Sequence, residues 1–200
     1  MPMRVAVCVS GGGSNLGALI EALPPGSEAE VALVVSNRAD APALDRARAR
    51  GIPAVTLDDP ANGAEWLRRL KEHRVDLVVL AGYLRLVPAD VVAAWRGRMV
   101  NVHPALLPAF GGPGMYGARV HRAVLESGAR ESGATVHLVD EDYDRGAILA
   151  QARVPVEPGD TPERLAARVL AAEHRLLPEV VRAAAAAGRP VPLPPSSEHL

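Results

Sequence analysis

The chain has 200 residues, 48% of them hydrophobic and 22% charged, enough for one domain with a real core. Its formal net charge is −1, so no overall field draws it to nucleic acid or to an acidic membrane face. A single cysteine, Cys8, excludes an internal disulfide and a cysteine-rich metal site, and no apolar run reaches the roughly 20 residues of a membrane span.

Residues 3–9 (Met-Arg-Val-Ala-Val-Cys-Val) form a nearly continuous apolar run that reads as a strand covered on both faces. The Met-Pro-Met-Arg start lacks a signal-peptide pattern, so a cytoplasmic location is expected. The strand ends in Ser10-Gly11-Gly12-Gly13-Ser14-Asn15, and a helix follows over about 14–23. Free backbone N–H groups and the helix dipole make such a junction a seat for phosphate, and glycine lets the backbone approach closely. No Gly-Lys-Ser/Thr follows, and Leu16 stands where a dinucleotide fingerprint has its third glycine. A phosphomonoester therefore fits better than a pyrophosphate. A merely tight strand-to-helix turn is the competing reading.

Strand patterns recur at 31–36, 53–57, 76–81 and 99–103, separated by helical patterns at about 41–50, 62–73 and 88–96. That alternation argues for a parallel sheet. The fifth strand carries Asn101-Val102-His103-Pro104. On extended backbone Asn101 and His103 project to one side and Val102 to the other, while Pro104 ends the ladder. An amide donor beside a titratable imidazole suits a reaction in which a carbonyl oxygen becomes negative and a proton moves. Two ordinary polar residues at a strand end would look the same.

Further on, 134–139 and 147–154 are strand candidates joined by the acidic turn Asp140-Glu141-Asp142-Tyr143-Asp144-Arg145-Gly146, which suggests a hairpin. A carboxylate brought from that turn to His103 would stabilise the imidazolium, raise its pKa and orient the ring; a solvated turn would do none of this. Asp160-Thr161-Pro162-Glu163 provides a cap and a first-turn proline for a long final helix. Pro190 to Leu200 reads as a surface tail. The expected fold class is α/β: a Rossmann-like doubly wound sheet, mostly parallel, with a C-terminal antiparallel hairpin. His137 reads as core or rim with a minor role, and His73 and His121 as surface groups on helices. Of Glu173 and His174, either could turn to a ligand. Tyr83, Phe110, Tyr116 and Tyr143 flank the proposed site and suit a flat heterocycle.

Taken together, these segments resemble the folate-dependent formyltransferase family, and within it the branch that formylates glycinamide ribonucleotide in purine synthesis. The resemblance runs from residue 4 to about 188. It rests on Val9-Ser10-Gly11-Gly12-Gly13-Ser14-Asn15-Leu16, Ser36-Asn37-Arg38-Ala39-Asp40 and Leu80-Ala81-Gly82-Tyr83-Leu84-Arg85. It continues through Asn101-Val102-His103-Pro104-Ala105-Leu106-Leu107-Pro108, Gly133-Ala134-Thr135-Val136-His137, Tyr143-Asp144-Arg145-Gly146 and Glu173-His174. The resemblance implies a single formyltransferase domain over 1–188, a tail over 189–200, and a catalytic group of Asn101, His103 and Asp144. It implies that Gly13, Ser14, Asn15, Leu16, Gly17 and Glu173 hold the phosphate and ribose of glycinamide ribonucleotide. Leu84, Arg85, Leu86, Val87, Asn101, Asp140, Glu141, Asp142, Tyr143 and Asp144 would hold 10-formyltetrahydrofolate. It further implies no metal, no nucleic-acid or membrane partner, and a monomer or homodimer. Arg98 stands where the family often has a basic residue near the site.

The chain departs from the pattern in three places. Residues 58–62 (Asp-Asp-Pro-Ala-Asn) lack the arginine that often assists folate, the phosphate site has no lysine, and the glycine-rich segment 109–118 is longer than usual and reads as a flexible flap. A transfer-RNA formyltransferase would need another domain and a basic face, and a formyltetrahydrofolate hydrolase an additional N-terminal module. A Rossmann-type oxidoreductase would need the third glycine and an acidic residue after the second strand, where Ser36-Asn37 stands. A phospho-ligand binding module would make the Asn101, His103 and Asp144 set coincidental.

Overall fold

In the computed structural model, which describes residues 1–194, the apolar runs form a single seven-stranded sheet. The strands are β1 (Met3–Val9), β2 (Ala29–Ser36), β3 (Ala54–Thr56), β4 (Leu77–Leu80), β5 (Met99–His103), β6 (Glu131–Leu138) and β7 (Ile148–Pro155). Their order is β3-β2-β1-β4-β5-β6-β7. Pairing is parallel from β3 to β5 and antiparallel for β5–β6 and β6–β7. The helices are α1 (Ser14–Ala22), α2 (Pro42–Arg48), α3 (Gly63–Glu72), α4 (Ala89–Ala94), α5 (Ala118–Glu126) and α6 (Pro162–Ala187). The expected doubly wound, mixed sheet is therefore present, with antiparallel pairing that begins one strand before the hairpin.

Alternation along the strands divides the core in two. Val5, Val7, Val9, Leu77, Val79 and Val100 pack with residues of α1, α2 and α6, whereas Ala6, Cys8, Leu33, Val78, Leu80 and Met99 pack with Trp66 and Leu70 of α3 and Val91 and Val92 of α4. Cys8 is fully buried, as expected of a core strand residue. The Thr161 side chain accepts a hydrogen bond from Arg164 N, and Pro162 follows it at the start of α6. The strand order reverses at β1, so the ends of β1 and β4 flank a crevice where doubly wound sheets bind ligands.

Two segments differ from expectation. Helix α5 follows directly on the glycine-rich segment, driven by the buried Val120 and Val124 one turn apart. The chain after α6 is not simply a surface tail: Pro190 is buried and Leu193 N donates to Leu149 O at 2.8 Å. The rest of that expected tail, 195–200, lies outside the described residues.

The loop after β5 is anchored from β6. Thr135 Oγ1 donates to Ala105 O (2.6 Å) and accepts from Leu107 N (3.0 Å), and Gln151 Nε2 donates to both Leu107 O and Thr135 Oγ1 (2.9 Å each). Thr135 is fully buried, so Thr135→Val, which keeps the shape, would strand buried backbone groups. A loss of about 3 kcal/mol in urea unfolding is expected. A change under about 1 kcal/mol would mean that this anchor is not needed.

Candidate functional site

One cavity of about 790 Å³ opens at the crevice, a size suited to small-molecule ligands. Its first wall is the β1–α1 junction. Gly13 adopts φ 69°, and a Cβ there would come within 2.6 Å of the Ala43 Cβ, so both conformation and contact require glycine. Gly11, Gly12, Gly13, Ser14 and Asn15 all line the cavity. Leu16 and Gly17 do not: Leu16 is fully buried in the core, and Gly17 faces Arg46 and spends its N–H on Gly13 O. Asn15 Nδ2 donates to Glu173 Oε2 at 2.6 Å, joining α1 to α6 at the cavity wall.

Burial pushes the Glu173 carboxyl up to about 7, against the pull of the Asn15 hydrogen bond. The folded state therefore holds a proton that the unfolded chain releases near 4.5. Stability from this group is full below that value and is lost as pH rises through about 7. Relative to Glu173→Gln, the parent should lose on the order of 3 kcal/mol between these limits, read from urea midpoints across the range. Parallel pH profiles for the two proteins would contradict the burial argument.

The second wall comes from β5 and β6. Antiparallel register sets Asn101 beside His137 and His103 beside Thr135. Asn101 Nδ2 lies 3.1 Å from His137 Nε2 and 3.4 Å from Asp144 Oδ1. His137 Nδ1–H donates to Leu138 O (2.8 Å), and its Nε2 faces both the Asn101 amide and the Asp144 carboxylate. Asp144 reaches back from the β6–β7 connection: Oδ2 is 3.5 Å from His103 Nδ1, and Oδ1 is 3.4 Å from His137 Nε2. Asn101, His103 and Asp144 thus meet as expected. His137 belongs to the same cluster and is more than the minor residue its strand position suggested.

The glycine-rich segment touches this cluster directly. His103 Nε2–H donates to Phe110 O (2.8 Å) and Gly112 N donates to Asp144 Oδ2 (2.9 Å). A Cβ on Gly111 would meet Leu107 Cδ2 at 2.5 Å and Asp144 Cβ at 3.2 Å, so the segment lies flat on the carboxylate. Phe110 and Asp144 have φ values of 56° and 55°, a sparsely populated region for residues with side chains.

The expected rise in the His103 pKa is overturned. Burial dominates and holds the imidazole below its ordinary value, although Asp144 and the Phe110 carbonyl pull the other way. For Asp144, burial alone would raise the carboxyl. The contact with His137, the hydrogen bond from Gly112 N and the nearby His103 imidazole outweigh it and keep the carboxylate below its usual range.

The third wall is the segment after β4 with the acidic turn. Leu84, Arg85, Leu86, Val87, Asp140, Glu141, Asp142, Tyr143 and Asp144 all line the cavity. Leu84, Leu86 and Tyr143 leave large apolar surfaces exposed there. Ser10 ties this wall to the first: its Oγ accepts from Leu84 N (2.8 Å) and donates to Asn37 Oδ1 (2.6 Å). Tyr83 is buried edge-on against Trp66 and Tyr116 lines the cavity, whereas Phe110 contributes its carbonyl.

Several residues stand elsewhere than expected. Arg98 lies over the Trp95 ring at 4.5 Å and does not line the cavity. His174 is also outside it, while His121, expected at the surface, is buried and lines it. Arg38, which no residue pattern had singled out for the site, stands beside the glycine loop with its guanidinium held by Asp40. Residues 58–62 lie outside the cavity; Asp58 N and Asp59 N bond Glu65.

The formyl transferase family model matches residues 3–181. A chloroplastic phosphoribosylglycinamide formyltransferase from Arabidopsis thaliana is 50% identical over 188 residues, covering 90% of this chain and 64% of the plant protein. The chain thus spans just under two thirds of that relative. A glycinamide ribonucleotide transformylase structure from Symbiobacterium toebii superposes with a TM-score of 0.87 at 40% identity, covering 96% of this chain and 95% of its own. A phosphoribosylglycinamide formyltransferase structure from Brucella melitensis gives 0.84 at 44% identity, with 93% and 97% covered.

Proposed function

The chain belongs to the formyl transferase family, and on that premise we propose that it moves the formyl group of 10-formyltetrahydrofolate to the amine of glycinamide ribonucleotide in purine synthesis. The observation that carries this reading is one cavity joining a glycine-rich phosphate cradle to the Asn101, His103 and Asp144 cluster. The names of the plant and bacterial relatives support it.

In this reading the backbone N–H groups at Gly13, Ser14 and Asn15 hold the phosphate, and Glu173 takes the ribose hydroxyls. Leu84 to Val87 and the 140–144 turn hold the pterin, with Leu84, Leu86 and Tyr143 as its apolar walls. The folate supplies an electrophilic formyl carbon. As the neutral amine adds to it, a C–N bond forms and the carbonyl oxygen becomes negative. Asn101 and an imidazole N–H of His103 donate to that oxygen, and one such donor is typically worth about 3 kcal/mol of barrier. The bond from the formyl carbon to the folate nitrogen then breaks, and the amine proton ends on that nitrogen. Asp144 orients His103 and, through a water molecule, carries that proton. Because Phe110 O occupies His103 Nε2, the flap must release the ring before it can serve the substrate.

Holding both substrates in one cavity supplies much of the remaining acceleration by proximity. We read 1–188 as one domain and 189–200 as its tail, acting in the cytoplasm as a monomer or homodimer, with no metal in the reaction. Purified protein given both substrates and a chelator should yield glycinamide ribonucleotide heavier by one formyl group in mass spectrometry. No product between about pH 6 and 9, which spans ordinary histidine titration, would overturn the assignment.

A further inference from the structure

We propose that His121 is a binding residue for the amide end of the acceptor substrate, an assignment that rests on the formyl-transfer reading above. His121 sits on α5 between Val120 and Val124 and is only 5% exposed, yet it lines the cavity. Its Nδ1 is buried without a hydrogen-bond partner among the described residues. Most buried side-chain nitrogens in folded proteins are hydrogen-bonded, because an unmade bond costs free energy, so an unpartnered ring at a cavity wall points to a ligand. The charged neighbours on its helix do not supply a partner: Arg119 lies over the Tyr116 ring, and Arg122 is exposed.

Position and chemistry narrow what the ring receives. The glycine loop suits the phosphate, and Glu173, bonded to Asn15, is the acceptor for hydroxyls beside it. His121 is instead in the first turn of the helix that continues the glycine-rich segment bonded to His103 and Asp144, which places it toward the reacting end. Burial and His103 both hold it below its ordinary pKa, so it stands neutral at pH 7. A neutral imidazole carries a donor on one edge and an acceptor on the other, so the nitrogen it turns to the cavity pairs with either the N–H or the C=O of an amide.

The test is calorimetric binding with no folate present. Two probes are compared: glycinamide ribonucleotide, and ribose 5-phosphate, which lacks the amide. His121→Phe keeps volume without a polar atom, His121→Ala removes the ring, and His121→Gln restores a donor and an acceptor. Phe and Ala should each raise the Kd for glycinamide ribonucleotide about 10-fold, Gln less than about 3-fold, and none should alter ribose 5-phosphate binding. Unchanged glycinamide ribonucleotide affinity in the Phe and Ala variants would overturn the assignment, as would equal weakening of both probes. Parent protein that binds glycinamide ribonucleotide but never formylates it would overturn the reaction instead, leaving the contact in place.

Discussion

Replacing His103 with Ala is expected to lower kcat about 1,000-fold while leaving KM for either substrate within a few-fold. The side chain is 3% exposed and lines the cavity with its ring against Asp144. Losing one donor to the developing oxyanion accounts for roughly 100- to 1,000-fold, and the disturbed proton path adds to it. The same change frees Phe110 O, so amide exchange across 110–117 should quicken. Steady-state kinetics with each substrate varied would measure the split. A loss confined to KM would show that His103 binds ligand without assisting the chemistry.

Asp144→Asn should cost a similar factor of about 1,000, although it keeps the shape and one acceptor oxygen. The carboxylate accepts from Gly112 N and lies near Asn101, His103 and His137, so its charge is shared by the whole cluster. Removing that charge removes the upward pull on His103, whose pKa should fall further below its ordinary value; imidazole NMR titration would record it. A rise would contradict the account. Stability gives a second reading. The depressed carboxyl contributes stability that is present above its unfolded value of 3.8 and lost as pH falls through its folded value. Asp144→Asn should therefore flatten the loss on the acid side. The His103 contribution has its own sign. The folded ring resists protonation, so stability falls as pH drops below 6.5, where the unfolded imidazole takes up a proton.

Much of this architecture was legible because it follows from local chemistry. The β-branched runs that became β1, β2, β4 and β5 needed burial on both faces, and Thr161-Pro162 could hardly do other than start a helix. Asn101 and His103 shared a face by strand alternation alone. A surface place for His121 follows from Arg119 and Arg122 on the exposed side of α5, whereas the Val120 and Val124 stripe implies the buried one. The part of His137 in the cluster depends on the β5–β6 register, a long-range pairing with no local mark. The direction of the His103 shift has no local mark either. Proximity of a carboxylate can be guessed from a turn, but the depth of burial that outweighs it cannot.

In the proposed reaction one cavity holds both substrates, with the acceptor amine against the formyl carbon beside Asn101, His103 and Asp144. A crystal structure with glycinamide ribonucleotide and an unreactive 10-formyl folate analogue tests it most directly. Phosphate is expected on Gly13, Ser14 and Asn15, the heterocycle between Leu84–Val87 and the 140–144 turn, and amine and formyl carbon about 3–3.5 Å apart. Phosphate bound away from the glycine loop, or a formyl carbon out of reach of Asn101 and His103, would contradict it.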